Sequence, residues 1–395
     1  CLFSQTPQAH TARLLAHLVA VGQERRSVRA LIAANSSMLA AKVAERSSDV
    51  GEHYITRTMA EYRAMLRDAA GGGFVMAFTT LMKFAVLSMG LSTFWSGFYA
   101  GLNYALSFIL IQLLHWTVAT KQPAMTAPAM AAKLKELDTP GAIEGFVDEV
   151  AHLVRSQVAA IAGNLALVVP GVLLLSYAWQ LALGRPVLDP ATAAHVLHDL
   201  SLWGPTALFA ALTGVLLFAS SIIAGWTENW FVLHRLDSAL RYNPRITAVL
   251  GPARAECWAS FMRRHVSGLS ANLSLGLMLG LVPAFAAFVG LGLEVRHVTL
   301  STGQVAAAAA SVGPGILKDS AFWWCVAGIG VTGLLNLAVS FYFAFRLALR
   351  AHNVSGVDRH RIRQAIGQRA RTRLRSFFWP EATAGSSVQE PSDHG

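Results

Sequence analysis

The sequence predicts an all-α, polytopic helical membrane protein with about six transmembrane helices and both termini in the cytoplasm. Of the 395 residues, 54% are hydrophobic and only 14% are charged, whereas a soluble domain averages about 25% charged residues. Six apolar stretches each approach the roughly 20 residues that a helix needs to cross a bilayer. The basic residues are concentrated in alternate segments between these stretches, which predicts the side of the membrane on which each segment lies.

The lysines and arginines separate clearly between the two sides that six spans would create. Of the 32 basic residues, 28 fall in four segments that should share one side: 1–68, 120–156, 227–265 and 346–395. The opposite side holds three: Arg185, Arg296 and Lys318. This asymmetry follows the positive-inside rule, and it explains most of the net charge of +10 without a nucleic acid. We therefore expect a multi-pass protein of the bacterial inner (cytoplasmic) membrane.

The chain divides into four predicted regions. Residues 1–68 have apolar residues at helical spacing and are predicted to be a cytoplasmic helical region. Because the chain starts at a cysteine, without Met or a signal region, we expect this to be the C-terminal part of a larger N-terminal region. Residues 69–348 form the six-span domain, residues 349–380 a basic amphipathic cytoplasmic helix, and residues 381–395 a disordered tail. The six spans are predicted at approximately 70–90, 94–119, 157–183, 203–226, 267–292 and 321–346.

Glycines and prolines predict how some of these spans pack. Three consecutive glycines, 71–73, open the first span and permit a bend or close packing. Gly97 with Gly101, and Gly276 with Gly280, are small residues four apart, a spacing that allows close helix approach. Pro170 predicts a kink in the third span. Residues 293–319 are predicted to form a loop outside the membrane.

The C-terminal segment before residue 380 alternates arginines with apolar residues. Ile362, Ile366, Ala370 and Leu374 recur four apart, with arginines around them. This pattern is typical of a basic amphipathic helix on the inner leaflet. We expect the lipid bilayer as a partner, with anionic lipid bound at this helix. The oligomeric state does not follow from the sequence.

Polar side chains enter the first two spans and form a candidate intramembrane polar site. Asn103, Gln112 and His115 lie in the second span, and Lys83 lies past the midpoint of the first. Gln112 and His115 are three apart, so a continuous helix would place them on one face. Such residues mark a path for a proton, an ion or a small solute. The alternative is that the three polar residues hydrogen-bond to neighbouring helices. For Lys83 the alternatives are extension to the outer interface and pairing with a polar group of the second span.

Arg296 and His297 form a second candidate site on the predicted outer side. This basic pair lies beside Thr299, Ser301 and Thr302, on a side with few charges. It could hold an anion or a phospholipid head group in the periplasm. The alternative is that the pair anchors the loop by bonding backbone carbonyls. Both interpretations stay open from the sequence alone.

The sequence predicts no metal site and no cofactor. The cysteines at 1, 257 and 325 are far apart and form no ligand-like set. His195 and His198 are three apart, next to Asp199, on the predicted outer side. Two histidines at this spacing can share a metal, but no further ligand is apparent, so we expect a plain interfacial helix there.

Four stretches carry a family resemblance. They are EHYITRTMAEYRAMLRDAAGGG (52–73), LNYALSFILIQLLHWTVATKQPAMTAPAMA (102–131), ALTGVLLFASSIIAGWTENWFVLHRL (211–236) and LEVRHVTLSTG (293–303). In this order they resemble a bacterial family of polytopic membrane proteins labelled site-specific recombinase, of the Gcr type. The family name implies DNA strand exchange and DNA as a partner. Family members are longer at the N-terminus, and the resemblance carries no catalytic residue set over to this chain.

The residues themselves predict no recombinase chemistry. A tyrosine recombinase needs a tyrosine nucleophile with arginine and histidine groups around one phosphate. Tyr242, beside Arg241 and Arg245, is the plausible nucleophile in the inner loops, and His-x-x-Arg recurs at His152 and Arg155. No soluble segment exceeds about 70 residues, below the usual domain size of roughly 100. We assign no catalytic residue.

Two function classes therefore stay open. The residues favour a non-enzymatic membrane scaffold or a small transport module built around the second span. The family resemblance implies instead a site-specific DNA recombinase that acts from the cytoplasmic face, with DNA as its substrate.

Overall fold

The structure is a computed structural model that describes residues 55–119, 126, 130, 142–351 and 359–380. Within these ranges the chain is helical, with eleven longer α-helices and no strand. The helices are α1 Met59–Ser88, α2 Thr93–Leu113, α3 Ala142–Leu183, α4 Pro190–Asp199, α5 Thr206–Leu233, α6 Leu236–Tyr242, α7 Pro244–Leu250, α8 Pro252–Phe288, α9 Val298–Val312, α10 Ser320–Ala351 and α11 Arg359–Thr372. Short 3₁₀ helices cover Pro314–Lys318 and Leu374–Phe377.

Six of these helices, α1, α2, α3, α5, α8 and α10, are long and apolar enough to cross a membrane. This confirms the predicted fold class and the predicted number of spans. The predicted N-terminal region up to residue 54 and the predicted tail from residue 381 lie outside the described residues. The assignment of the two ends of the bundle to the two sides of the membrane stays a prediction.

The six long helices pack side by side in the order α3, α1, α2, α8, α5, α10. At one end of the bundle, α3 also meets α10, because Phe341 and Phe345 pack against a cluster that includes Phe146 and Leu153. We call this end, which holds the starts of α1, α3 and α8, the basic end. The opposite end, where α1 finishes and α2 begins, is the short-loop end. Helix α9 packs among the long helices, against α1, α3, α4 and α10.

Local signals in the sequence explain where the helices begin. Thr58 caps α1 through a capping box, in which its hydroxyl accepts from the Glu61 N–H and the Glu61 carboxylate accepts from the Thr58 N–H. Asp189 caps α4, followed by Pro190 at the first helical position. The Thr192 hydroxyl donates to the Asp189 carboxylate at 2.7 Å, and this bond lowers the pKa of that carboxyl.

The second span is shorter than predicted. We expected a helix to residue 119, but α2 ends at Leu113, and His115 adopts a left-handed backbone with φ of 57°. The Trp116 N–H then bonds back to the Ile111 carbonyl at 2.9 Å, as in a Schellman turn. The chain turns against α1, where the Thr117 N–H donates to the Asp68 carbonyl at 3.0 Å. His115 therefore lies beyond the helix, and it does not share a helical face with Gln112.

The glycine patterns mark the closest helix contacts. Gly72 and Gly73 lie inside α1, where a Cβ would overlap the backbone of Thr117 and of Asn164. Close packing explains these glycines, since α1 continues through them without a break. The two predicted pairs meet at one crossing of α2 with α8, where a Cβ on Gly280 would overlap the backbone of Gly97 and Gly101. The prediction of close approach at both pairs is confirmed.

The C-terminal segment packs on the basic end of α3. The Arg369 guanidinium pairs with the Asp148 carboxylate at 2.8 Å, and the Trp379 ring lies 5.2 Å from the Tyr62 ring. Phe377 is buried. Helix α11 covers only Arg359–Thr372 of the predicted amphipathic helix, and residues 352–358 lie outside the described residues.

Residues 293–312 differ most from the sequence-based expectation. We predicted a loop outside the membrane from 293 to 319, but the structure has helix α9 there, and ten of its fifteen residues are buried. Its residues contact four of the surrounding helices. The segment therefore enters the bundle from the short-loop end and returns to it, as a re-entrant element. Its fifteen residues are too few to cross a bilayer, which is why the sequence did not distinguish it from a loop.

Candidate functional site

The entry of α9 into the bundle is held by hydrogen bonds to polar side chains of the surrounding helices. The Arg296 N–H donates to the Thr213 hydroxyl of α5 at 2.8 Å. The Val298 N–H, at the start of α9, donates to Asn336 Oδ1 of α10 at 3.1 Å. Asn336 Nδ2 donates in turn to the carbonyls of Arg296 and Ala210, both at 2.9 Å. The non-helical backbone before α9 is thus paired inside the protein, as hydrocarbon surroundings require.

Asn164 of α3 performs a similar role on the other side of α9. Its Oδ1 accepts from the Thr299 hydroxyl at 3.1 Å and from the Ala119 N–H at 2.8 Å. Its Nδ2 donates to the carbonyls of Ala69 and Thr117, at 2.5 and 2.9 Å. Asn164 is fully buried. One asparagine therefore joins α1, α3, the chain after α2 and the first turn of α9.

The first turn of α9 lies deep in the bundle. Asn164 is 19 residues before Leu183, the last residue of α3, which corresponds to about 28 Å along the helix at 1.5 Å per residue. The fifteen residues of α9 span about 22 Å by the same rise. At the far end of α9, the Ser311 hydroxyl accepts from the Leu188 N–H at 3.2 Å, between α3 and α4. The N-terminus of α9 thus points into the bundle and its C-terminus toward the short-loop end.

Lys83 meets the middle of α9. Its Nζ donates to Gln304 Oε1 at 2.6 Å and lies 5.7 Å from the centre of the Phe84 ring. The two helices approach closely beside this bond, because a Cβ on Gly303 would overlap the side chain of Thr80. Of the two sequence-based alternatives, extension to the outer interface or pairing inside, the structure has Lys83 paired, with α9 rather than with the second span.

Arg296 and His297 are buried, at 6% and 2% exposure. The Arg296 guanidinium donates to the backbone carbonyl of Asp199 at 3.1 Å and pairs with the Glu294 carboxylate. Its charge also lies 5.2 Å from the centre of the Phe209 ring. Asp199 is the last residue of α4, where a cation stabilises the negative end of the helix dipole. These contacts match the alternative in which the pair anchors the chain, and anion binding there stays a prediction.

His297 extends the contacts of this segment to α2. Its ring centre lies 5.9 Å from that of Phe108, a fully buried residue of the second span. His297 directly precedes α9 and occupies its N-cap position. The segment before α9 therefore touches α2, α4, α5 and α10 within three residues.

The polar residues of the second span bond to neighbouring helices rather than to one another. Asn103 Nδ2 donates to the Thr79 carbonyl of α1 at 2.9 Å. Gln112 Oε1 accepts from Asn272 Nδ2 of α8. His115 is exposed at the basic end. Lys83, Asn103, Gln112 and His115 therefore form separate contacts, and the structure does not bring them together as one site.

The arginine and histidine groups considered for DNA chemistry are also apart. Tyr242 is 70% exposed at the end of α6, and its neighbour Arg241 pairs with the Glu256 carboxylate at 2.7 Å. Arg155 is buried, and its guanidinium donates to the Thr56 carbonyl at 2.7 Å. A guanidinium held by backbone carbonyls inside the protein is not accessible to a phosphate.

Asn164, Asn336 and Gln304 were not among the predicted site residues. The signal for the two asparagines was the same as for Asn103, a polar amide in an apolar run. Gln304 lies in the segment that we had predicted to be a loop. Among the described residues, no group of three or more His, Cys, Asp or Glu side chains is arranged to hold a metal ion.

The model of a family described as "Site-specific recombinase" matches residues 2–380 of the chain. No curated protein and no solved structure matches it.

Proposed function

We propose that this chain, which belongs to the site-specific recombinase family, is a small membrane transport module whose moving part is the re-entrant helix α9. The observation that carries the proposal is the burial of ten α9 residues among helices that could span a membrane. Buried half-helices joined to non-helical backbone are typical of transporters, where they shape the solute path. The scaffold interpretation accounts for the long helices but not for a re-entrant element.

The packing of α9 supports movement along its neighbours. Residues 305–310 of α9 are one valine and five alanines. This part of the helix therefore has no large side chain to interlock with α3 or α10. The N-terminal end of α9 is held by a few hydrogen bonds, which Thr213, Asn336 and Asn164 accept. Sliding of packed helices is one established form of conformational change.

The membrane setting of the proposal follows from the charge distribution. We assign the basic end to the cytoplasm and the short-loop end to the periplasm of a bacterial inner membrane. The lipid bilayer surrounds the six long helices, and anionic lipid binds the arginines of the C-terminal segment. On this assignment α9 enters from the periplasmic side.

A reversible crosslink tests whether α9 has to move. A Cβ on Gly333 of α10 would lie 3.9 Å from the Val298 Cβ, close to the mean of about 3.8 Å for a disulfide. Val298→Cys with Gly333→Cys, with the native cysteines changed to serine, should therefore close a bond between α9 and α10. Val298→Cys with Gly330→Cys is the matched control, because no atom lies within 4 Å of a Cβ at Gly330.

The readout is solute flux into proteoliposomes. The probes are potassium, chloride, inorganic phosphate, acetate and glycerol. We expect flux of at least one probe, loss of that flux when the Val298/Gly333 pair is oxidised, and recovery on reduction. Flux that persists in the fully crosslinked protein would contradict a moving α9. Absence of flux for every probe would favour the scaffold.

DNA recombination is the second candidate function, and the family description favours it. The observation that supports this function is the exposed Tyr242, next to Arg241 and Arg245 at the basic end. The test is cleavage or joining of DNA by the purified protein, with Tyr242→Phe as the variant. Activity that disappears in Tyr242→Phe would establish this function, and no activity in the native protein would exclude it for this chain.

A further inference from the structure

We propose that the transported solute is a small anion and that Lys83, together with Gln304 and Ser301 of α9, forms its binding site. This inference rests on the proposed transport function and names the substrate class of its central element. Lys83 and Gln304 meet where α1 contacts the middle of α9, and Ser301 lies one helical turn before Gln304. Four observations carry the inference: the sign of the charge in the bundle, the pairing of Lys83, an unused hydroxyl, and the direction of α9.

The first observation is that the apolar parts of the long helices carry no acidic residue. No Asp or Glu occurs in 69–88, 93–113, 150–183, 206–227 or 257–288, nor in α9 and α10. Lys83 lies within the first of these stretches, and Arg296 lies directly before α9. Charges in a medium of low dielectric constant act over longer distances than they do in water. Glu294, which pairs with Arg296, and Asp199 act on Lys83 from outside these stretches. Within them a solute meets the lysine and no carboxylate, which favours an anion over a cation.

The second observation is that a neutral group holds Lys83. Its Nζ donates to the amide oxygen of Gln304 at 2.6 Å, and it forms no ion pair within the described part of the chain. Arg296, in contrast, has the Glu294 carboxylate beside it. Intramembrane cations usually pair with an acid or mark an ion or substrate path. Lys83 thus keeps a charge that an anion can neutralise.

The third observation is a buried hydroxyl in α9, three residues before Gln304. Ser301 is 2% exposed, and its Oγ has no hydrogen-bond partner among the described residues. Ser301 and Gln304 are three apart in α9, so they lie on one face of the helix. Buried polar groups are normally hydrogen-bonded. The hydroxyl therefore supplies a donor one helical turn from the amide that holds Lys83, and a hydroxyl and an ammonium group both suit an anionic oxygen or a halide.

The fourth observation is the direction of α9. The helix starts deep in the bundle, with its N-terminus beyond Ser301 as seen from the short-loop end. The N-terminus of a helix carries a partial positive charge, so the helix dipole adds to the charge of Lys83. An anion that enters from the short-loop end would pass Lys83 and Gln304 before it reaches the first turn of α9.

The test compares anion flux in four proteins reconstituted in the same liposomes. The probes are chloride, inorganic phosphate and acetate, with potassium and glycerol as the cationic and neutral probes. Lys83→Gln removes the charge, Lys83→Arg keeps it, and Gln304→Glu places a carboxylate against it. We expect anion flux in the native protein and in Lys83→Arg, and a loss of about tenfold or more in Lys83→Gln and Gln304→Glu.

A second readout separates binding from misfolding. The anion that is transported should raise the melting temperature of the native protein and of Lys83→Arg, and it should leave that of Lys83→Gln unchanged. All four proteins should elute as the same species in size-exclusion chromatography. If Lys83→Gln folds poorly, the melting temperature of Gln304→Glu decides, because this variant retains the lysine. No anion-dependent rise in Gln304→Glu supports the binding site, and a rise equal to that of the native protein contradicts it.

The outcomes separate this inference from the transport function. Flux of potassium or glycerol without flux of any anion would overturn the inference and leave the transport function intact. Anion flux that is unchanged in both Lys83→Gln and Gln304→Glu would likewise overturn the assignment of the site. No flux of any probe would overturn both.

Discussion

Asn336 of α10 accepts the backbone N–H of Val298, the first residue of α9, at 3.1 Å. The same side chain donates to the Arg296 and Ala210 carbonyls, so one amide satisfies three backbone groups in the interior of the bundle. Its position makes the re-entry of the chain compatible with apolar surroundings. The contribution of this contact to the stability of the protein can be compared with that of an ordinary interhelical hydrogen bond.

Asn336→Leu should destabilise the protein strongly. Leucine has a similar volume but leaves the Val298 N–H and two carbonyls without their partner, at about 1–3 kcal/mol for each buried group. Asn103→Leu is the matched control, because Asn103 donates a single bond, to the Thr79 carbonyl. The measurement is unfolding of both variants in detergent by heat or denaturant. Equal losses of stability in the two variants would show that Asn336 contributes no more than a single interhelical hydrogen bond.

Arg296→Met should also lower stability. The substitution keeps much of the side-chain volume but removes the donor to the Asp199 carbonyl and the charge beside Glu294. Loss of one partner from a charged, largely buried contact costs about 2 kcal/mol or more. Arg185→Met, at an exposed arginine after the end of α3, is the control and should unfold like the native protein. A similar melting temperature for both variants would argue against burial of Arg296.

The crossing of α2 with α8 predicts opposite effects of alanine at two glycines. Gly280→Ala places a methyl group against the backbone of Gly97 and Gly101, so we expect a lower melting temperature. Gly330→Ala meets open space, and the higher helix propensity of alanine, about 1 kcal/mol, should leave stability unchanged or improved. If Gly280→Ala is tolerated as well as Gly330→Ala, the two helices do not cross this closely.

The orientation of the bundle is tested by cysteine labelling. Cys257 is exposed near the start of α8, at the basic end, whereas Cys325 is buried. With the basic end in the cytoplasm, a membrane-impermeant maleimide should label Cys257 in inverted membrane vesicles but not in intact spheroplasts. Labelling from the periplasmic side would reverse the assignment.

Much of the fold follows from the sequence because long apolar helices carry their signal within themselves. The six spans and the close approach at the paired glycines required only length, hydropathy and spacing, whereas the crossing of α2 with α8 did not follow from the sequence. The end of α2 did not follow, since no Gly or Pro marks it and the left-handed turn falls on His115, a residue type that adopts this conformation only occasionally. The apolar residues after it suggested a continuing helix.

The candidate site was harder to predict because it depends on partners far apart in the sequence. Helix α9 is too short for a span and begins with polar residues, so its burial is a property of the helices around it. Lys83 and Gln304 are separated by 221 positions, and no local pattern indicates their contact. Lys83 was recognisable as unusual on its own, whereas its partner could be named only from the structure.

The crosslink between Val298→Cys and Gly333→Cys tests the position of α9 most directly. In membranes treated with a mild oxidant, we predict a high yield of the intramolecular disulfide for this pair, identified by mass spectrometry of the linked peptides. The control pair, Val298→Cys with Gly330→Cys, should stay reduced. Equal yields in the two pairs, or no disulfide in either, would contradict the account, since residues 293–312 would then not enter the bundle at the contact between α9 and α10.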